Sequence, residues 1–406
     1  WETNRFVGKL AKILGISKNR IWFSGTKDKR AITTQLLVID APQKKVSAVE
    51  LSDVEIEVLG RSHQKLGFGD HSANRFTITV RGCSDENGNP LEAKEAIARV
   101  NTIFEAMENR LGAGKFPNWI GPQRFGATRP VTPVVGRSVI SDEWENAVDA
   151  YLGMAGIHQA PDVVAFRSLW RESKDVEKCL EIIPRHLGFE RDMLQHLKRR
   201  PGDWVGAFKK LPNNLQLMMV HSLQSEAFNR IIAARLEAGI ALAEPITGDI
   251  VGIVQDNGKI DMAKLVEVED DIKPRITRNC RQGRLAVTAA LPGGESAYSD
   301  SKPGQIEMEV LQNMGLENED WKVEGVPRLT SKGSRRALTV SFSDFSVEEA
   351  GEVESEHLGK RCSEGPREGE AWNQDGCSLR LRFSLPSGTY ATILMREFMR
   401  APLTQY

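Results

Sequence analysis

The first sixteen residues, WETNRFVGKLAKILGI, set Phe6, Leu10, Ile13 and Leu14 at helical spacing, which predicts an amphipathic helix with one apolar face. RIWFSG and AITTQLLVID then read as strands flanking a charged turn, and DVEIEVLG alternates with Val54, Ile56 and Val58 on one side. NRFTITVRG alternates more strictly. Phe76, Ile78 and Val80 share one face, Arg75, Thr77, Thr79 and Arg81 the other, and Asn74 has the parity of Phe76. From about Pro117 the texture changes: PNWIGPQRFGATRPVTP is dense in glycine and proline, and helical patterns follow over 142–155, 174–198 and 213–238. TGDIVGIV and GRLAVTAALPG are strand-like islands in that region, and LPGGESAYSDSKPGQ reads as polar loop. Period-two alternation returns in RALTVSFSDF, with Leu338, Val340 and Phe342 on its apolar side, and in LRLRFSLP, with Leu379, Leu381, Phe383 and Leu385. The polar, glycine-rich EVESEHLGKRCSEGPREGEAWNQDG between them reads as a long mobile loop.

Strands at both ends of a helical middle predict an α/β protein of the α+β kind, with a mixed sheet. Its domain would be discontinuous, 1–116 and 333–406, interrupted by a helix-rich α/β insertion over 117–332. A length of 406 residues fits that arrangement, being more than one core usually organises. No apolar run reaches the roughly 18–20 residues that span a bilayer, and no charged-then-apolar leader opens the chain, so no membrane and a cytoplasmic location are expected. Because a helical pattern is already running at Trp1, a segment upstream of it is expected too. The five cysteines form no CxxC pair, which argues against a zinc site and a disulfide framework and for reduced thiols.

A net charge of −1 supplies no global field for a polyanion, so any such site is a local patch. KPRITRNCRQGR, with five cations and no acid, is one candidate; it reads equally as a solvated face balancing the acidic EVEDD before it. HLKRRPG and the Lys209–Lys210 pair are others. His63 and His71 flank Lys65 and read as solvated or RNA-facing rather than metal-binding. No phosphate loop, HExxH or GxSxG occurs, and GFGD at 67–70 lacks the buried strand that a nucleotide-binding loop would follow. Arg124 and Phe125 in GPQRFG read as structural, at the hinge between the domains.

The turn FSGTKDKRAITTQ crowds Lys27, Lys29 and Arg30 around Asp28. Nearby cations favour the ionised carboxylate, so the turn is either a solvated hairpin or a charge held for chemistry. GTKDKRAITTQ, HSANRFTITVRG, PNWIGPQRFG, SEAFNRII, LAVTAALPG, SRRAL and FSLPSGTYATILMRE, in this order along essentially the whole chain, resemble the TruD family of tRNA pseudouridine synthases, archaeal type.

That resemblance implies a pseudouridine-synthase sheet carrying an inserted domain, and a catalytic role for the motif's aspartate, here Asp28. It implies that Asn74, Phe76 and Tyr390 line a uridine pocket, with Tyr390 where many bacterial relatives have phenylalanine, at the start of a helix that Thr389 would cap. Lys27 and Arg30 would hold Asp28 ionised and contact phosphate or ribose. Members also carry an upstream strand with a lysine near the active site, before the point where this sequence starts. The implied reaction cuts uracil from C1′ at N1, turns it and rejoins it through C5, with no cofactor and no metal. Its substrate would be tRNA, at a uridine of the D arm, and the enzyme a monomer. A non-catalytic RNA-binding protein or RNA chaperone on the same scaffold is the alternative; a methyltransferase would need a cofactor loop that the sequence lacks.

Overall fold

The computed structural model describes residues 1–28, 31–67, 69–126, 128–157, 159–255, 257–351 and 372–401. The chain divides into two units, Trp1–Asn74 and Arg75–Tyr406.

In the first unit, helix α1 (Thr3–Leu14) starts where the Glu2 carboxylate accepts from the amides of Asn4 and Arg5, both at 2.9 Å. It stops where Gly15 adopts a left-handed φ of 68°. Its buried stripe is Phe6, Val7, Leu10, Ala11 and Leu14. Ile13, expected on that stripe, lies roughly 90° around the helix from its centre at 100° per residue and is 45% exposed. Strands β1 (Ile21–Phe23) and β2 (Leu37–Ile39) pair antiparallel with Ile21 opposite Ile39, and a short helix α2 (Gln43–Ser47) follows. The strand expected from Ala31 onward shrinks to β2 because Ile32 and Leu36 find no apolar surface and stand exposed. Residues 24–28 and 31–36 are therefore loop, and it carries Asp28. Val54, Ile56 and Val58 face the cluster built on α1, as their alternation predicts. DVEIEVLG is nonetheless no strand: apart from one bridge between Leu51 and Val54 it joins no ladder among the described residues.

Strand β3 (Ala73–Val80) carries the chain into the second unit, where α3 (Ala93–Leu111) and β4 (Lys115–Pro117) lead to a helical run. That run is α4 (Thr132–Ile140), α5 (Trp144–Gly153), α6 (Pro161–Ser173), α7 (Val176–Ile182), α8 (Gly188–Arg199), α9 (Trp204–Phe208) and the long α10 (Asn213–Glu237). The pattern over 174–198 is split into two helices by Pro184, which cannot donate to a continuing helix. Helix α4 crosses α10 so closely that a Cβ on Gly136 would sit 2.1 Å from the Met219 carbonyl oxygen. Only glycine fits there. One side of α10 closes an apolar cluster with α4–α9 that contains Phe166, Trp170 and Phe208. Its other side, through Phe228, Ile231 and Ile232, packs on a four-stranded sheet.

That sheet has the order β6–β5–β7–β8, from β5 (Ile250–Val254), β6 (Ile260–Glu267), β7 (Leu285–Leu291) and β8 (Ser334–Ala337). KPRITRNCRQGR contains helix α11 (Lys273–Arg281), which buries Ile276 and Cys280 and leaves Arg275, Arg278 and Arg281 exposed. Helix α12 (Lys302–Asn313) follows β7.

RALTVSFSDF, which alternates as if it were one strand, is instead a ribbon serving three sheets. β8 pairs with β7, β9 (Thr339–Ser341) with β4, and β10 (Ser343–Glu349) with β11 (Leu379–Pro386), all antiparallel. The joints between these strands are Leu338 and Phe342, both buried, so the ribbon turns from sheet to sheet around apolar anchors. β10, β11 and β3 form a three-stranded sheet, β11 in the centre. Against it lie α3 and α13 (Ala391–Met399), with Phe104, Phe345 and Phe398 stacked at 5.0 Å spacings. Thr389 does not cap α13, because it lies one residue too early: Tyr390 holds the N-cap position, and the Thr389 hydroxyl donates to the Pro386 carbonyl at 2.7 Å. The architecture is thus mixed α+β. Most of the polar stretch read as a long loop, 352–371, lies outside the described residues. No described helix is long and apolar enough to cross a membrane.

Candidate functional site

In the first unit the loop 24–36 is pinned beside its aspartate. The Lys27 amide donates to the hydroxyl of Thr3, the buried first residue of α1, at 2.9 Å. The Lys27 ammonium donates to the Asn74 side-chain carbonyl at 2.6 Å, and the Asn74 amide nitrogen lies 3.1 Å from His71 Nε2. Because the carbonyl end of Asn74 is taken by a cation, its NH₂ faces the imidazole, so Nε2 accepts and the ring proton sits on Nδ1. That nitrogen is buried and has no partner. A second tie, from the Gly69 amide to the Ser24 carbonyl at 2.8 Å, joins the loop to the segment leading into β3.

Asp28 itself is exposed, and its carboxylate has no hydrogen bond or ion pair among the described residues. Lys27, expected to steady that charge, is directed to Asn74. Lys29 and Arg30 lie outside the described residues. The structure thus brings Lys27 and Asn74 together and adds His71, whose position in HSANRF was visible in the sequence but whose role was not.

In the second unit, Tyr390 is half-buried between the apolar clusters of the two sheets. Its ring lies against the backbone of Gly121, where a Cβ would stand 2.9 Å from the ring. Gln123 donates to the Thr392 hydroxyl at 3.0 Å and so ties the Pro122–Arg124 turn to the first turn of α13. Asn229 of α10 holds the same segment from below through two 2.9 Å hydrogen bonds with the amide and carbonyl of Ile120. Phe76 is also half-buried; its ring meets that of Phe383 at 5.6 Å within the three-stranded sheet's cluster.

Two adjacent arginines on β8 point to opposite faces, as a strand's period requires. Arg335 pairs with Glu307 at 2.6 Å, the side chains 7% and 4% exposed. Arg336 donates to the Asn118 side-chain carbonyl and to the backbone carbonyls of Asn118 and Gly388, at 3.4 and 3.3 Å, and lies 5.8 Å above the ring of Phe228. Asn118 is held for this by the Ala337 and Leu338 backbones, each bond 2.9 Å. Among the described residues no carboxylate reaches Arg336. Burial pushes its guanidinium down to about 10; the Tyr390 phenol opposes that and Arg124 adds to it. Arg124 has its Nε buried without a partner, and burial together with the Arg124 charge holds the His221 imidazole below its ordinary range. This wall beside Tyr390 is cationic and aromatic, suited to an anionic substrate that carries a planar ring.

The family model for tRNA pseudouridine synthase D (TruD) matches residues 1–398. A Methanosarcina acetivorans protein named "Probable tRNA pseudouridine synthase D" is 35% identical over 401 residues, covering 98% of this chain and 85% of the relative. A Halobacterium salinarum protein of the same name is 35% identical over 408 residues, covering 98% and 84%. Among solved structures, a Methanosarcina mazei chain titled "Putative tRNA pseudouridine synthase D (TruD)" superposes with a TM-score of 0.80 at 33% identity, covering 100% of this chain and 87% of that one. By its whole-chain match and by its fold, this chain belongs to the tRNA pseudouridine synthase D family, whose members are isomerases.

Proposed function

We propose that this chain converts a uridine of tRNA, in the D arm, to pseudouridine, with Asp28 as the catalytic group. The observation that carries the reading is the family match over residues 1–398, with Asp28 standing at the aspartate of the GTKDKRAITTQ motif. An exposed carboxylate without a partner among the described residues is free to meet substrate. Asp28 either attacks the ribose or removes a ribose proton; in both routes the N1–C1′ bond breaks, the C5–C1′ bond forms, the proton at C5 leaves to water and N1 takes one up. Lys27 and Asn74 form a polar edge that can hold the detached uracil or its ribose, and Arg30 adds a phosphate or ribose contact. Phe76 and Tyr390 offer rings to the extruded base, each worth on the order of 1–3 kcal/mol in stacking.

We also group 1–116 and 333–406 as the catalytic domain, with 117–332 as an inserted, RNA-gripping domain. What supports joining 75–116 to the C-terminal part is the cluster over the three-stranded sheet, which draws on α3, β4, β10, β11 and α13 and takes nothing from α4–α12.

The test is tritium release from tRNA labelled at uridine C5. Wild type should release it, and Asp28→Asn should lose at least about a hundredfold in rate while keeping its melting temperature. Full activity in that variant would remove Asp28 from the mechanism. Tight tRNA binding by wild type with no release would favour a non-catalytic RNA-binding role.

A further inference from the structure

We infer that Arg336 and Arg124 receive a phosphate of the RNA strand, next to the nucleotide whose base stacks on Tyr390. The inference rests on reading the chain as a tRNA-modifying enzyme. Other deeply placed arginines of the second unit are neutralised: Arg235 by Asp249, Arg167 by Glu190, Arg335 by Glu307. Arg336 is not, although it shares β8 with Arg335. Neutral carbonyls satisfy its Nε and Nη2 donors but leave its charge uncompensated, and its Nη1 has no partner among the described residues. Arg124, near enough to bear on its charge, has no side-chain hydrogen bond and a buried, unpartnered Nε among the described residues.

Arg124 follows Gln123, which bonds Thr392, and Arg336 bonds the Gly388 carbonyl, so both cations are carried toward the start of α13 with no acid paired to either among the described residues, and one anion taken by both relieves their repulsion. Guanidinium donors match phosphate oxygens in bidentate geometry, which makes phosphate the fitting anion. Position identifies its source. The Tyr390 ring lies on Gly121, three residues before Arg124, and the Gln123–Thr392 hydrogen bond ties the same turn to α13, so a phosphate here is flanked by a surface for a base and by polar groups for a ribose.

The competing explanation is that Arg336 only bridges Asn118 to Gly388, and salt dependence separates the two. Affinity of the full chain for an unmodified tRNA transcript is measured across a KCl series for wild type, Arg336→Gln, Arg336→Lys and Arg124→Gln. Each lost phosphate contact makes the plot of log affinity against log salt shallower by roughly 0.7–0.9. Because one phosphate is shared, the double variant Arg336→Gln/Arg124→Gln should show that change in full and each single variant a part of it, and Arg336→Lys should recover the wild-type slope with weaker binding. A variant that melts like wild type and keeps its slope overturns the inference. If Arg336→Gln fails to fold, Arg124→Gln decides, since no side-chain hydrogen bond is lost in it. Pseudouridine formation by wild type is scored separately: its absence would sink the enzymatic reading, while the slope differences would still report the anion site.

Discussion

Gly121 lets the backbone approach the face of Tyr390 within what is ordinarily side-chain distance. Gly121→Ala should therefore displace the ring or the Pro122–Arg124 turn, at a cost of about 1–3 kcal/mol. The expected outcome is a melting temperature lower by several degrees together with a fall in kcat/KM for tRNA; an unshifted melt with full activity would mean that the ring is not held there. At this scale the sequence nominates some residues and hides others. Asp28, Asn74, Phe76 and Tyr390 could be proposed for the site because each falls inside a motif. The hydrogen bond from Lys27 to Asn74 could not, since the partners are 47 residues apart, one in a polar loop and the other at the start of β3. Nor could the contrast between Arg335 and Arg336, adjacent letters that only the sheet sends to different environments.

Among the elements, β3 and β11 were legible because a strand with one face on a core must alternate, and Leu379, Leu381, Phe383 and Leu385 do so without interruption. Phe383 is fully buried and touches Phe76. Phe383→Ala should cost about 3–5 kcal/mol in denaturant unfolding, a far larger effect than any exposed substitution in the loop 24–36. Alternation misled over 53–60, where one side does pack but the backbone joins no ladder: side-chain burial and strand pairing are separate conditions. It also concealed breaks. The apolar period runs unbroken through Leu338 and Phe342, and nothing in it marks that the pairing partner changes there. Helix α11 was hidden by its charge, because Ile276 and Cys280 are its only buried residues among many cations.

Taken as a whole, the molecule keeps three of its thiols protonated. Burial pushes Cys83 up to about 12 and Cys179 and Cys280 up to about 11. At pH 8 the thiolate fraction of Cys83 is then on the order of one in ten thousand. Native protein should leave these three cysteines unmodified by iodoacetamide at pH 8, and unfolding in guanidinium should make all three react, as peptide mass mapping would record. Rapid native labelling of Cys83 would contradict its burial. The scattered cysteines of the sequence already pointed to reduced thiols; their depth needed the fold.

The ribbon 334–349 also has a consequence in time. Strand β4 emerges from the ribosome more than two hundred residues before β9, its partner, and the outer edge of β7 stays bare until β8 follows. Synthesis must therefore carry unpaired edges until residues 334–349 are made, and a single stretch then closes one sheet after another. A slip of one residue in it would reverse inward and outward side chains in all of them together.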